Sequence, residues 1–226
     1  MKYEKTVVGR FVERPNRFIA VVEVDGAVQV CHVKNTGRCR ELLLPGAKVV
    51  LAAANNPARK TAYDLVAVYK GERLINMDSQ APNLAVGEYL RARFPGAVVR
   101  PEVTVGASRL DFAVETDTGT TYVEVKGVTL ERDGVVLFPD APTARGAKHL
   151  GELARLAGEG HDARVLFVIQ MGNVQYFTPN RETDPAFADA LLAARKAGVA
   201  VEAVDCTVVE DGMVIGGAVP VRFSDK

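Results

Sequence analysis

The 226-residue chain contains no tryptophan and only three cysteines, and it has no net charge at neutral pH. Cys31, Cys39 and Cys206 include no C-x-x-C pair and are odd in number, so neither a disulfide framework nor a zinc site is expected. They read as small, reduced core residues. No apolar run approaches the roughly 18 residues that a spanning helix needs. Met1-Lys2-Tyr3-Glu4 leads directly into a mixed polar and β-branched stretch with no apolar signal core, which makes the cytoplasm the expected compartment. Internal repeats and low-complexity segments are absent. Aromatic residues make up 7% of the chain, and no stacking platform announces itself. Phe11, Phe18, Tyr63 and Tyr69 are available either to bases or to the core, and most of them read as core. What remains is 48% hydrophobic and 25% charged, the balance of a soluble globular protein long enough for one large domain or two modest ones.

The zero net charge hides an asymmetry. Residues 1–80 carry 13 Lys and Arg against 8 Asp and Glu, and residues 81–226 carry 15 against 20. A basic half joined to an acidic half suggests that the first meets a polyanion and that some acid in the second holds a cation. Charges scattered on solvated faces would give the same totals.

Hydrophobic patterning divides the chain at the same place. Val7–Val12, Phe18–Val24, Ala27–Val33, Lys48–Ala53, Tyr63–Tyr69 and Arg73–Asn76 are β-branched runs, with Asp25-Gly26 a hairpin signal. Leu42-Leu43-Leu44 before Pro45-Gly46 reads as a short helical turn stopped by proline. Short strands with a basic excess fit a small barrel of the oligonucleotide-binding (OB) type over residues 1–80, a small β-sandwich being the alternative. Residues 81–226 alternate strands and helices, giving a mixed α/β (α+β) domain. Asn83 is placed to cap a helix over Leu84–Phe94. Strands follow at Val98–Val105, Arg109–Glu115, Thr121–Val128 and Val135–Phe138. An amphipathic helix covers Thr143–Ala157, and Arg164–Gln170 is apolar on both faces, as a central covered strand should be. Val174–Thr178, a helix over Pro185–Ala197 and a strand over Val199–Val204 complete the pattern.

Strand geometry selects the residues that carry chemistry. In 122–126, Glu124 and Lys126 share one face, about 7 Å apart along the strand. Asp111 lies on the preceding strand, joined by the turn-rich Thr116-Asp117-Thr118-Gly119-Thr120. An even loop of Asp117-Thr118 puts Asp111 across from Glu124, and one of Thr118-Gly119 puts it across from Lys126. Either brings the three charges within about 4.5–8 Å, and both leave Leu110, Phe112, Val114, Val123 and Val125 on the other face. Two carboxylates suit Mg²⁺ or Mn²⁺, which polarises a phosphoryl oxygen and acidifies a bound water. Lys126 is placed to orient that water or to offset charge in the transition state of in-line phosphodiester hydrolysis. An exposed salt-bridge ladder is the bland alternative.

Asp111 followed by Glu124-Val125-Lys126 resembles the PD-(D/E)xK nuclease signature, with Leu110 where that signature has proline. Families with the signature add an acidic residue on the helix before the hairpin, and Glu88 matches it. The resemblance therefore implies a metal set of Glu88, Asp111 and Glu124. A wider resemblance spans almost the whole chain: His32-Val33-Lys34-Asn35-Thr36-Gly37-Arg38, Glu41-Leu42 with Pro45-Gly46, Ser108-Arg109-Leu110-Asp111-Phe112, Val123 through Leu130, and Phe138 through Gly146. These strings are similar to the sugar fermentation stimulation protein A family. That likeness implies an OB domain, a restriction-endonuclease-like mixed sheet flanked by helices, and DNA binding with little sequence preference. It also implies a role in sugar, particularly maltose, metabolism.

Lys34, Asn35, Gly37, Arg38 and Arg40 form a basic turn suited to phosphates. Arg145 and Lys148, at the start of the 143–157 helix, offer a second phosphate site. His149 reads as a surface residue, and Gln170 as either a polar group on the catalytic face or a strand-end cap. The expected partner is nucleic acid, DNA ahead of RNA. Two readings stand, a metal-dependent nuclease and a non-catalytic DNA-binding regulator; a carbohydrate-binding protein is a weaker third.

Overall fold

A computed structural model describes every residue except Thr36, Arg38, Asn55, Pro57, Ala107 and 224–226. Six strands form the first unit: β1 (Thr6–Asn16), β2 (Ile19–Val24), β3 (Ala27–Val33), β4 (Lys48–Ala53), β5 (Tyr63–Lys70) and β6 (Arg73–Asn76). Their order is β3-β2-β1-β4-β5-β6, and a further pairing of β3 with β5 closes the first five into the expected OB-type barrel. Alternation does the folding here. Ala20, Val22 and Val24 point into the barrel while Val28 and Val30 face water. Asp25 and Gly26 both take positive φ (50° and 79°), the conformation of the tight hairpin turn that their sequence signals. The Leu42 and Leu43 N–H groups donate to the Cys39 carbonyl and that of Leu44 to the Leu42 carbonyl, a hydrogen-bonded turn rather than a regular helix, and Leu42 and Leu43 are buried.

The second unit runs α1 (Ala81–Arg93), β7 (Val98–Val105), β8 (Ser108–Thr116), β9 (Gly119–Val128), β10 (Glu131–Arg132), β11 (Val135–Phe138) and α2 (Ala144–Gly158). It continues with β12 (Asp162–Ile169), β13 (Tyr176–Pro179), α3 (Pro185–Lys196), β14 (Ala200–Val209) and β15 (Gly212–Ala218). The main sheet has the order β15-β14-β12-β9-β8-β7, with β10, β11 and β13 in a separate small sheet. β12 lies parallel to both β9 and β14, and its Val165–Ile169 stretch is buried on both sides, which explains why that run is apolar throughout. α1 covers one face over Phe112, Val114, Val123, Val125, Leu166 and Val168. α2 and α3 cover the other over Leu110, Val165, Phe167 and Ile169. Among the described residues, no helix is long and apolar enough to cross a membrane.

Three sequence expectations need correction. α1 starts at Ala81, not Leu84, because Pro82 in its first turn presets helical φ; Asn83 is thus inside the helix and is no cap. β10 and β15 had not been expected. Leu110 packs on the α2 side, apart from Phe112 and Val114, so β8 changes face at Asp111.

The units are joined by more than the linker. One apolar core runs from Phe11 and Val22 in the barrel to Phe167 and Phe187 under α2 and α3. Lys70 and Arg73 meet the buried Glu131 at 2.6 and 3.0 Å. The Asn76 N–H donates to the Gln170 carbonyl, and the Gln170 amide donates back to Asn76 Oδ1 at 3.0 Å. Gln170 is therefore a clamp between units. Residues Met1–Tyr3 leave the barrel and bond to Asp211 and Met213 beside β15, crossing the 80/81 division that composition suggests.

Candidate active site

The β8–β9 ladder runs from Thr116↔Gly119 to Phe112↔Val123, so the loop is Asp117-Thr118. Continued by one residue, that register sets Asp111 against Glu124. The ladder stops before this pair because the Asp111 carboxylate takes the partner strand's donor itself: Oδ2 accepts the Val125 N–H at 2.7 Å. Oδ1 accepts from Asn83 Nδ2 at 2.8 Å. Asp111 thus sits where β8 switches face, held from the α1 side, while Glu124 and Lys126 point toward α2. The three charges converge without sharing one flat face. Burial, and then the neighbouring Glu124 charge, push the Asp111 carboxyl above the usual carboxylate range.

Glu124 is 2% exposed. Its Oε1 accepts from Lys126 Nζ at 2.6 Å and also meets Nδ1 of His149. Its Oε2 is buried and has no hydrogen-bond partner among the described residues. An unpaired carboxylate oxygen away from water costs several kcal/mol unless something compensates it. The salt-bridge ladder alternative placed these charges in solvent, and Glu124 is not there.

The other candidates divide. His149, which reads as a surface residue, is buried on α2 between Gly146 and Leu153 and directed at Glu124. The signal was in the spacing: three residues after Gly146 and four before Leu153, it lies inside the apolar stripe. Arg145 is exposed, its Nε 3.5 Å from His149 Nε2, so it borders the site from outside. Lys148 is exposed on the next turn. Glu88 is not brought to the cluster. The α1 residue facing Asp111 is Asn83, and Glu88 lies five residues on, roughly 140° around the helix. Its carboxylate meets the Met1 amino group at 2.7 Å and is 62% exposed. Among the described residues, no set of three Asp, Glu, His or Cys gathers as metal ligands; Asp111 and Glu124 are a pair.

The basic turn is partly structural. Lys34 Nζ lies between Asp64 (3.4 Å) and Asp78 (3.6 Å). Asn35 donates to the Met77 carbonyl and accepts the Gly37 N–H. Arg38 lies outside the described residues, and Arg40 is exposed. A Cβ on Gly37 would come within 2.8 Å of Asp140 Oδ2, so this turn docks closely on the loop before α2. A cleft of about 200 Å³ opens there, walled by Asn35 and Gly37 from the barrel and by Gly127, Asp140 and Gln170 from the second unit. Gly127 follows Lys126, so the cleft reaches the end of the strand that carries the charged cluster.

Family models agree with this two-part arrangement. The sugar fermentation stimulation protein RE domain matches residues 80–212, and the N-terminal OB domain of SfsA matches residues 12–77. The chain belongs to the sugar fermentation stimulation protein family. A homolog of that name from Desulfitobacterium hafniense (strain DSM 10664 / DCB-2) is 52% identical over 225 residues, covering 99% of each chain. One from Clostridium beijerinckii is 52% identical over 218 residues, 95% of this chain and 96% of the relative. Among solved structures, Pyrococcus furiosus SfsA in complex with Ca²⁺ superposes with a TM-score of 0.89 at 27% identity, over 98% of both chains. The SfsA frame is therefore shared end to end.

Proposed function

We propose that the protein binds nucleic acid along the cleft between its units and hydrolyses a phosphodiester bond there, with a divalent cation held by Asp111 and Glu124. The observation that carries this reading is the buried, unpartnered Oε2 of Glu124 beside a second carboxylate of raised affinity for protons. A hard cation is the partner that such oxygens take, and Mg²⁺ is commonly held by one or two carboxylates plus water. The Ca²⁺ complex of the Pyrococcus furiosus relative supports it from outside the chain. When bound, the cation supplies Lewis acidity toward a phosphoryl oxygen.

The chain's own groups divide the remaining work. Asn83 and the Val125 N–H fix the Asp111 carboxylate, and His149 with Lys126 fixes Glu124 through Oε1, leaving Oε2 to point into the site. Lys126 carries the positive charge that offsets charge building on the phosphoryl group. Exposed Arg40 and Arg145 flank the approach and neutralise backbone phosphates.

The test is incubation of the full chain with end-labelled DNA and RNA, single- and double-stranded, in Mg²⁺, Mn²⁺ or EDTA. Cleavage is expected only with metal. Asp111→Ala should reduce it to background, and Lys126→Ala should slow it by about 10²-fold or more. Substrates left intact under every condition, yet shifted equally by wild type and both variants, would replace the nuclease with a DNA-binding regulator on the same frame.

A further inference from the structure

Most barrel aromatics do the work of a core. Phe11 is buried and Tyr63 and Tyr69 are partly covered, but Phe18, at the tip of the β1–β2 hairpin, is 45% exposed. An exposed phenylalanine alone carries nothing. What surrounds this one does. The Arg17 guanidinium lies over its ring, 4.7 Å from the centroid. Asn16 Oδ1 accepts the N–H groups of both Phe18 and Ile19, at 2.9 and 3.1 Å, which fixes the tip. Arg14 then ties this tip to the basic turn, donating to the carbonyls of Arg17, Asn35 and Gly37 at 2.7, 2.6 and 2.9 Å. The ring is thus presented on a rigid support.

Between tip and turn lies a cavity of about 320 Å³, with Arg17, Arg40 and Gly37 among its walls. Gly37 also walls the cleft that leads to Gly127, next to Lys126. The two hollows thus share as a wall a residue with no side chain. From beside the aromatic–arginine tip the hollows run past Arg40 and Gly37 to Gly127, on the strand that also carries Glu124 and Lys126. The exposed Phe18 ring offers its face to an unpaired base, whereas the bases of a duplex already stack on one another.

We propose that Phe18 and Arg17 form a stacking platform for an unpaired base, feeding a single strand past Arg40 and Gly37 to the Asp111–Glu124 site. This rests on the nucleic-acid reading above and names its substrate class as single-stranded. Stacking on an aromatic ring tolerates any base, and Arg17 and Arg40 hold the phosphates on either side of it.

The chain has no tryptophan, so Phe18→Trp installs a sole indole at the platform. In EDTA, labelled oligothymidylate is titrated while its anisotropy and the indole emission are followed together. Quenching in step with binding is expected. Phe18→Ala should weaken oligothymidylate about tenfold and leave a duplex of equal length unaffected, with an unchanged melting curve showing that the barrel still folds. Binding without quenching, a duplex preferred over the single strand, or equal weakening of both by Phe18→Ala would each overturn the platform while the cleft reading stood. No binding of any nucleic acid would remove both.

Discussion

Two carboxylates of this chain, the buried Asp64 and the half-buried Asp111, are shifted in opposite directions, and the groups facing them explain why. Burial pushes Asp64 up, but Arg59, Lys34 and His32 outweigh it and hold its carboxyl below the usual range. For Asp111, burial and then the Glu124 charge outweigh the hydrogen bonds from the Val125 N–H and Asn83 and the charge of Lys126, and it ends above the range. The consequences for stability have opposite signs. Asp64 contributes stability that is present above its unfolded pKa, near about 4, and is lost as the pH falls through its depressed folded value. Asp64→Ala leaves Arg59 without its carboxylate and Lys34 with Asp78 alone; because both cations are partly exposed, the expected cost in urea denaturation is about 2 kcal/mol, below the fully buried range. For Asp111, stability is highest in acid and declines as the pH rises through its raised folded value. Asp111→Asn should therefore stabilise the metal-free protein at neutral pH by on the order of 1 kcal/mol, roughly 2–4 °C in melting temperature. That gain should vanish below about pH 4. A variant that melts lower than wild type at neutral pH without metal would show that the Asp111 charge is satisfied by the protein alone.

At the scale of elements, the site depends on how closely β9, β12 and α1 approach. Gly127 makes that approach possible: a Cβ there would lie 2.7 Å from Gln170 Oε1 and 2.8 Å from Pro82 Cγ. Gln170 is held by Asn76 and Asp78, so it cannot withdraw without breaking the junction between units. Gly127→Ala is expected to cost about 1–3 kcal/mol through overpacking and to widen the cleft beside Lys126. Chemical denaturation measures the first effect, and a rise in KM for oligonucleotide cleavage the second. Glu131 does comparable work in the small sheet, where Lys70, Arg73 and the Gly134 N–H converge on its carboxylate and hold its pKa down against burial.

For the whole molecule, the continuous core and the polar clamps through Gln170 and Glu131 argue against independent units. Interfaces between mobile domains are usually small and polar; this one is apolar at its centre. Barrel and mixed sheet should unfold in one transition, with tyrosine fluorescence and far-UV circular dichroism giving coincident curves. Two resolved transitions would mean that the units are thermodynamically separate and that the cleft opens without unfolding. If phosphates dominate binding in the cleft, affinity should also fall steeply with salt.

Local order was legible in the residues because it is local physics. The period of two in Ile19–Val24, the Asp25-Gly26 turn and the apolar run Val165–Ile169 in β12 specify strands wherever they are packed, and patterns of this kind placed nearly every element. The same alternation put Glu124 and Lys126 on one face and, with a two-residue loop, Asp111 opposite Glu124. The tertiary structure decided which distant side chains meet. Nothing near His149 in sequence says that α2 lays it on Glu124, and nothing in α1 alone says that Asn83 rather than Glu88 turns toward Asp111. Nor does the basic turn announce that it docks on Asp140. Periodicity determines the face on which a residue lies. The neighbour across that face depends on the packing of elements tens of residues apart, and here that packing joins the barrel and the sheet around one cleft.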